Sequence, residues 1–265
     1  MVEKDNNGKF DVRSLIQNDG KYEYIDVGEG ATLLLLHGLF GALSNFEGVI
    51  RHFKDKARVV VPLLPIFKLP LEEASVQGLV DFVYQFVRDK DLKDLVLVGN
   101  SLGGHVALVY SLQHPEDVKA LVLTGSSGLY ERTFGGSYPK RGDYQYIKEK
   151  TEYTFYDPKV ATKELVDEVY NIVNDRHKAL RLISMSRSAM KHNLRNELGK
   201  INKPVCLIWG KQDKITPPEV AEEFKSLLPD AELYYIDKCG HAPMMEHPDE
   251  FNKIMEEFLK KRNLL

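Results

Sequence analysis

Apolar residues along the chain follow two different periods. Some form short runs that are apolar throughout or alternate with polar residues, which is typical of β-strands. These runs span residues 22–27, 32–36, 58–62, 95–98, 120–125, 205–210 and 232–237. The first run alternates and predicts an edge strand, whereas the second is apolar throughout and predicts a central strand.

Between these runs, apolar residues recur at three- and four-residue spacing, which predicts helices. The helical segments cover residues 45–53, 75–87, 102–113, 144–154, 162–174, 176–198, 218–228 and a last helix with an apolar stripe at 251–259. Ser75 is a suitable N-cap for the second helix. The prolines at 62, 65 and 70 predict a loop before it, because they permit neither a helix nor a strand ladder.

Strand and helix segments alternate up to residue 125 and again from about residue 201. This alternation predicts an α/β fold, in which a mainly parallel central sheet carries helices on both faces. Residues 126–200 begin with a polar, aromatic loop and continue as helical patterns only, so we expect a helical cap inserted over the strand ends. The predicted organisation is a core part at 1–125, the cap at 126–200 and a second core part at 201–265, with no element predicted for residues 1–20.

The segment Gly99-Asn100-Ser101-Leu102-Gly103 lies where the fourth apolar run meets a helix. Ser101 therefore occupies a tight strand-to-helix turn, and the glycines beside it avoid collisions with the strand and the helix. A G-x-S-x-G pattern in this context describes a nucleophile elbow, which lifts the serine hydroxyl above the sheet edge. The first amide groups of the helix would face any negative charge that forms there.

Two further residues follow the ends of later strands. Asp213 comes after the run that ends at Gly210, and His241 comes after the run that ends at Asp237. Because parallel strands leave the sheet at one edge, these side chains are expected to meet Ser101 there. The predicted roles are nucleophile for Ser101, general base for His241, and orientation and stabilisation of the imidazole for Asp213.

Acyl transfer through a serine also needs donors for the oxyanion. The backbone N–H of Leu102, directly after the nucleophile, is one candidate. The other is the N–H of Leu39 in the segment His37-Gly38-Leu39-Phe40-Gly41, with Phe40 as the second choice. We expect His37 to brace this loop by a hydrogen bond and His105 to be packed or at the pocket edge.

The ordered motifs at residues 37–41, 99–104, 209–213 and 240–243 resemble those of the α/β-hydrolase superfamily, specifically its capped, esterase-like branch. The resemblance covers nearly all of the chain from about residue 22, and it implies the fold, the triad and the helical cap. One departure concerns residues 61–67, where members usually have an Asp and a Gly-rich turn. This chain has Val-Pro-Leu-Leu-Pro-Ile-Phe there, so the loop is expected to line the pocket with apolar groups.

The leading hypothesis is a serine hydrolase that cleaves carboxylic esters of small to medium apolar acyl groups through an acyl-enzyme. Leu39, Phe40, Leu102 and the proline-rich loop would form the apolar approach for this small-molecule ester. The alternative is a carbon–carbon bond hydrolase of a vinylogous diketone acid, since residues 126–129 and 174–177 are similar to those of ring-cleavage hydrolases. That resemblance implies that Arg176 binds the substrate carboxylate, unless it is a solvated residue at a helix start. A third hypothesis is a non-catalytic ligand-binding protein with the hydrolase fold.

Composition and charge bear on the partners, the compartment and the cofactors of the protein. With 36 Lys and Arg residues against 39 Asp and Glu residues, the net charge is −3, and no basic block suggests a nucleic-acid partner. We find no signal segment and no apolar run of membrane-spanning length, which predicts a cytoplasmic protein without stable membrane association. Cys206 and Cys239 are expected to be reduced thiols. No residue set has metal-site or phosphate-loop spacing, so neither a metal nor a cofactor is expected.

Overall fold

The computed structural model describes residues 11–40, 46–131 and 140–265. Its strands form one sheet of eight, in the order β1-β2-β4-β3-β5-β6-β7-β8. The strands are β1 (Gln17–Asn18), β2 (Glu23–Val27), β3 (Thr32–Leu36), β4 (Arg58–Pro62), β5 (Leu95–Asn100), β6 (Val118–Thr124), β7 (Val205–Gly210) and β8 (Ala231–Ile236). The pairs β1–β2 and β2–β4 are antiparallel, and the remaining pairs are parallel. The predicted α/β fold with a mainly parallel sheet is therefore confirmed.

One prediction about the sheet edge was wrong. Strand β2 is second from the edge, because the two-residue strand β1 pairs with it through Gln17 opposite Tyr24 and Asn18 opposite Glu23. Both residues of β1 are exposed polar side chains, so no apolar pattern marks the strand. Strand β3, predicted to be central, lies between β4 and β5.

Helices cover both faces of the sheet. In strand β3, Leu34 and Leu36 pack in one apolar cluster with helices from the chain segments 76–87 and 102–110, whereas Leu33 and Leu35 pack in a second cluster with segments 49–53 and 251–259. The helices of the described residues are α1 (Glu47–Phe53), α2 (Val76–Asp89), α3 (Leu102–Gln113), α4 (Tyr144–Tyr153), α5 (Lys163–Asn174), α6 (Arg176–Lys191), α7 (Pro218–Leu227), α8 (Pro243–Glu246) and α9 (Pro248–Lys261). Successive side chains of a strand thus point to two separate cores.

Helices α4, α5 and α6 lie between β6 and β7 and form the predicted helical insertion. The helix predicted to run to residue 198 ends instead at Lys191. Asn193 terminates it, because its Oδ1 atom accepts a hydrogen bond from the N–H of Arg195 (2.9 Å) and so favours a turn. The predicted cap of α2 is confirmed, since the Ser75 hydroxyl accepts a hydrogen bond from the N–H of Gly78 (3.1 Å).

Some predictions concern residues outside the described ranges. These are Gly41 of the second-strand loop, Asn45 at the start of the first predicted helix, and residues 132–136 of the loop before the cap. Within the described ranges, none of the helices is long and apolar enough to span a lipid bilayer. Cys206 and Cys239, both described, are buried and not joined in a disulfide.

Candidate active site

Ser101 lies at the junction of β5 and α3, as predicted. Its backbone has φ 53° and ψ −120°, in a region that residues other than glycine rarely occupy. Such a conformation costs on the order of 1–3 kcal/mol, which the surrounding structure must supply. A Cβ atom added to Gly103 would lie only 1.9 Å from the carbonyl oxygen of Leu36, so helix α3 can approach strand β3 only with glycine at this position.

Asp213 and His241 follow β7 and β8, and their side chains are hydrogen-bonded to each other. The Nδ1 atom of His241 lies 2.9 Å from Oδ2 of Asp213. The Asp213 side chain is fully buried, and that of His241 is 8% exposed. This bond fixes the imidazole so that its other nitrogen, Nε2, can act as a proton acceptor if Nδ1 carries the proton.

The Asp213 carboxylate is held by three further donors. Its Oδ1 atom accepts hydrogen bonds from the N–H groups of Ile215 (2.8 Å) and Thr216 (3.0 Å). Its Oδ2 atom accepts one from the Thr216 hydroxyl (2.8 Å). The carbonyl of Thr216 in turn accepts the indole N–H of Trp209 (2.8 Å), which ties the turn to strand β7. Because a buried polar group is costly without partners, these bonds stabilise the Asp213 side chain in its position behind the imidazole.

The environment of His241 changes its affinity for a proton. Burial lowers the pKa of the imidazole, but the charge and hydrogen bond of Asp213 raise it, with smaller contributions from Glu131 and Glu246. The net effect is a pKa above the usual value of 6.5. His241 is therefore a stronger base than a free imidazole.

Asn100 and Gly125 connect the turn that carries Ser101 to the loop that carries His241. The Asn100 side-chain amide donates hydrogen bonds to the carbonyl oxygens of Thr124 (3.1 Å) and His241 (3.2 Å). The N–H of Ser101 donates to the same carbonyl of Thr124 (3.1 Å). A Cβ atom added to Gly125 would lie 2.9 Å from Nδ1 of His241. The ends of β5 and β6 and the loop after β8 thus form one contiguous site.

The loop after β3 lies on the other side of Ser101. A Cβ atom added to Gly38 would be 3.3 Å from the Cβ of Ser101, so the backbone of this loop runs directly beside the nucleophile position. The N–H of Leu64 donates to Nε2 of His37 (3.0 Å), which leaves Nδ1–H to donate to the carbonyl of Gly38 (2.8 Å). Burial lowers the pKa of His37 to about 4. His37 is accordingly a neutral brace for this loop, as expected.

Comparison with known proteins agrees with this architecture. Residues 33–254 match the alpha/beta hydrolase family. The chain belongs to the alpha/beta hydrolase family. The predicted resemblance to this superfamily is confirmed.

The relatives of this alpha/beta hydrolase have different activities. A solved alpha/beta hydrolase enzyme from the metagenome of sediments from the lagoon of Mar Chica, Morocco, is 44% identical, covers 94% of this chain and 99% of its own, and has a TM-score of 0.78. A 2-hydroxy-6-oxo-6-phenylhexa-2,4-dienoate hydrolase of Comamonas testosteroni is 27% identical over 92% of this chain and 93% of its own. A monoacylglycerol lipase of Xenopus laevis is 27% identical over 88% of this chain and 76% of its own.

The predicted pocket residues of the alpha/beta hydrolase lie in two places. Leu39 and Phe40 are partly buried against an apolar cluster of the cap formed by Ile147, Val169, Val173 and Leu182. Arg176 is instead the exposed first residue of α6. It borders a cavity of about 170 Å³ that Arg141 and residues of α5 and α6 line, and none of Ser101, Asp213 and His241 lines it. The structure does not bring Arg176 to the other predicted site residues.

Three residues of the site have roles that were not predicted from the sequence. Thr216 supports Asp213, and Asn100 joins the elbow to the histidine loop. Glu246 accepts hydrogen bonds from the N–H groups of Gly240 (2.8 Å) and Tyr156 (2.8 Å), so it links the histidine loop to the cap. The sequence carried a weak signal for this turn only, because an Asp side chain often bonds the backbone N–H two residues on, as Asp213 does with Ile215. In the described ranges, no group of three or more metal-ligating side chains could hold a metal ion.

Proposed function

We propose that this alpha/beta hydrolase is a serine hydrolase that cleaves carboxylic esters of small to medium apolar acyl groups through an acyl-enzyme intermediate. Ser101 is the nucleophile, His241 the general base and acid, and Asp213 the residue that orients His241. The backbone N–H groups of Leu39 and Leu102 form the oxyanion hole. The observation that carries this proposal is the bond of 2.9 Å between Nδ1 of His241 and the buried Asp213 carboxylate, in a loop to which Asn100, the neighbour of Ser101, is also bonded.

The first half of the reaction transfers the acyl group to the enzyme. As the Ser101 oxygen attacks the ester carbonyl carbon, its proton moves to Nε2 of His241, and Asp213 stabilises the resulting imidazolium. The carbonyl oxygen becomes negative and accepts hydrogen bonds from the two N–H groups. His241 then gives its proton to the departing alcohol oxygen, the bond from the carbonyl carbon to that oxygen breaks, and the acyl group stays on Ser101.

The second half repeats these steps with water. His241 takes a proton from a water molecule, whose oxygen attacks the acyl carbon and displaces the Ser101 oxygen. Ser101 regains a proton from His241, and a carboxylic acid is released. Each half therefore uses the same base, which needs a pKa near the working pH.

The preference for apolar acyl groups follows from the residues that cover the site. Leu39 and Phe40, beside the proposed oxyanion hole, pack against apolar residues of the cap. Phe67 of the proline-rich loop contacts both this cap cluster and the cluster on the α2–α3 face of the sheet. Residues of both the core and the cap thus offer apolar surface to the acyl chain, which favours burial of methylene groups at about 0.8 kcal/mol each.

An ester panel tests this proposal. Hydrolysis of 4-nitrophenyl esters of increasing acyl length should be measured for the wild-type protein and for Ser101→Ala, together with labelling by a fluorophosphonate probe. We expect turnover and labelling in the wild type and neither in the variant. Turnover retained by Ser101→Ala would contradict the assignment of the nucleophile. Absence of both labelling and turnover in the wild type would favour the non-catalytic alternative.

Carbon–carbon bond hydrolysis is a second candidate. It is supported by the similarity to the 2-hydroxy-6-oxo-6-phenylhexa-2,4-dienoate hydrolase of Comamonas testosteroni. In this alternative Arg176 would bind the substrate carboxylate, although it lies exposed at the start of α6. A vinylogous diketone acid assayed beside a simple ester separates the two activities, and Arg176→Gln should then raise KM for the acid only.

A further inference from the structure

Glu131 lies two hydrogen bonds away from the proposed nucleophile. The carbonyl oxygen of Ser101 accepts a hydrogen bond from the N–H of Ser127 (3.1 Å). The hydroxyl of Ser127 donates to Oε2 of Glu131 (2.7 Å). Ser127 is only 3% exposed, so this short chain of bonds runs through the interior and fixes the carboxylate close to the site.

The backbone on both sides of Ser127 is also held in place. The carbonyl of Gly128 accepts a hydrogen bond from the N–H of Leu194 (2.7 Å), which follows α6. Leu129 is buried in the core cluster, and Glu131 itself is half-buried. The segment that carries Glu131 follows β6 and is therefore anchored to the core and, through Leu194, to the residues that follow α6.

The charge of Glu131 reaches the catalytic centre. None of the ion pairs between described residues involves Glu131, so no paired cation in the described ranges offsets its charge. Glu131 contributes to the raised pKa of His241, after burial and Asp213. A field that acts on the imidazole also acts on an ester bound between the imidazole and Ser101, because a half-buried site screens charges poorly.

We propose that Glu131 is a specificity-determining residue that disfavours esters with a negative charge near the reacting carbonyl and favours uncharged or positively charged ones. This inference rests on the proposed function, since it takes Ser101 as the nucleophile. It names a substrate class that the fold and the triad leave open. It also opposes the second candidate function, whose substrate carries a carboxylate.

Three 4-nitrophenyl esters with acyl chains of equal length test the inference: an uncharged pentanoate, a glutarate monoester with a terminal carboxylate, and a 4-aminobutanoate with a terminal ammonium group. We expect kcat/KM in the wild type to be higher for the cationic than for the anionic ester, since both replace an apolar chain end by a charged one and differ only in its sign. In Glu131→Gln, kcat/KM for the anionic ester relative to the uncharged one should rise severalfold, because the repulsion between the two carboxylates is removed.

Two control variants test whether the effect comes from the charge of Glu131. They distinguish it from a disturbance of folding and from the loss of a carboxylate elsewhere on the protein. Glu131→Asp keeps the charge and should keep the wild-type order of the esters. Glu149→Gln removes an exposed carboxylate on α4 that bonds Gln145, and it should leave the order unchanged. Because the expected effect is electrostatic, the difference in kcat/KM between the charged esters in the wild type should also decrease as salt is added. The decrease should be smaller than for an interaction between two surface charges. An equal change for all three esters in Glu131→Gln, or none, would overturn the inference.

Binding of boronic acids tests the role of Glu131 without requiring that the protein hydrolyse an ester. Phenylboronic acid and its 3-carboxylate derivative form adducts with an activated serine, and their affinities should differ in the wild type and converge in Glu131→Gln. If this pattern appears while no ester is hydrolysed, the proposed ester hydrolysis fails and the role of Glu131 stands. If neither acid binds and no ester is hydrolysed, both proposals fall. If both acids bind equally well in the wild type, only the role of Glu131 is overturned.

Discussion

The Thr216 hydroxyl donates a hydrogen bond of 2.8 Å to Oδ2 of Asp213, the same oxygen that faces Nδ1 of His241. The hydroxyl oxygen is also 3.3 Å from that nitrogen. All three side chains are buried. Thr216 therefore fixes both the position of the carboxylate and the direction from which it meets the imidazole, although we do not expect it to touch the substrate.

Replacement of Thr216 by Val keeps the side-chain shape and removes this donor. A hydrogen bond to a charged group contributes about 1.5–3 kcal/mol, so we expect kcat to fall roughly 10- to 100-fold. KM should change little, because the pocket is untouched. Steady-state kinetics with the best ester of the panel measures both.

Thr216→Ser is the matched control, because it keeps the hydroxyl and removes only a methyl group. It should retain most of the wild-type kcat. A Val variant as active as the Ser variant would show that the two backbone N–H donors suffice to hold Asp213.

The pH dependence of catalysis should reflect the raised pKa of His241. The base must be neutral before it can accept the Ser101 proton, so kcat/KM is lost as the pH falls through the pKa of the free enzyme. Because Asp213 and the more distant carboxylates outweigh burial, this loss should occur above the usual value of 6.5. A pH–rate profile of kcat/KM with an uncharged ester measures it, and an apparent pKa below 6.5 would contradict the electrostatic balance described for His241.

Gly125 allows the histidine loop to approach the end of β6. It has φ +52°, and an added Cβ atom would lie 2.8 Å from the carbonyl oxygen and 2.9 Å from Nδ1 of His241. Gly125→Ala should therefore displace the imidazole. Since a shift of about 1 Å in a reacting group can cost 100-fold, we expect a loss of kcat of roughly that order.

Gly142→Ala is a matched control for backbone strain. Gly142 also has a positive φ (+81°), but an added Cβ atom would meet nothing within 4 Å. Both variants should lose stability in thermal unfolding, and only Gly125→Ala should lose most of its activity. Equal losses of activity would indicate strain and not displacement of His241.

The strands and helices could be predicted because each buries a continuous apolar face. The runs at Leu33–Leu36 and Leu95–Val98 are long enough and apolar enough to indicate central strands, and the glycines around Ser101 indicate the turn. Strand β1 has two exposed polar residues, so its pairing with β2 depends on neighbours that no local pattern encodes.

The supporting groups of the site were harder to predict for the same reason. Asn100 binds the carbonyl of His241, and Glu246 binds the N–H of Tyr156 in the cap. The two members of each pair are far apart in the sequence. An Asn or Glu side chain is also common at exposed positions, so the residue type alone does not indicate a buried partner. The order of Ser101, Asp213 and His241 was informative only because the parallel sheet brings the strand ends together.

His105 should make the protein sensitive to acid. It is completely buried, and no described residue forms a hydrogen bond with either ring nitrogen. Burial, with the neighbouring charge of His192, lowers its pKa to about 3. Between the ordinary value of 6.5 and this value the unfolded chain binds a proton that the folded chain does not, so stability falls as the pH decreases.

Substitution of His105 by Leu should remove this sensitivity, because Leu does not titrate. At pH 4.5, about two units below the ordinary pKa, the protonation cost is on the order of 3 kcal/mol. We therefore expect Leu to stabilise the protein by more at pH 4.5 than at pH 7.5, as measured by urea unfolding at both. His177→Leu, at an exposed position of α6, should give the same change at both pH values. If the wild type and His105→Leu lose stability in parallel as the pH decreases, the acid sensitivity arises from other groups, with buried His37 the next to test.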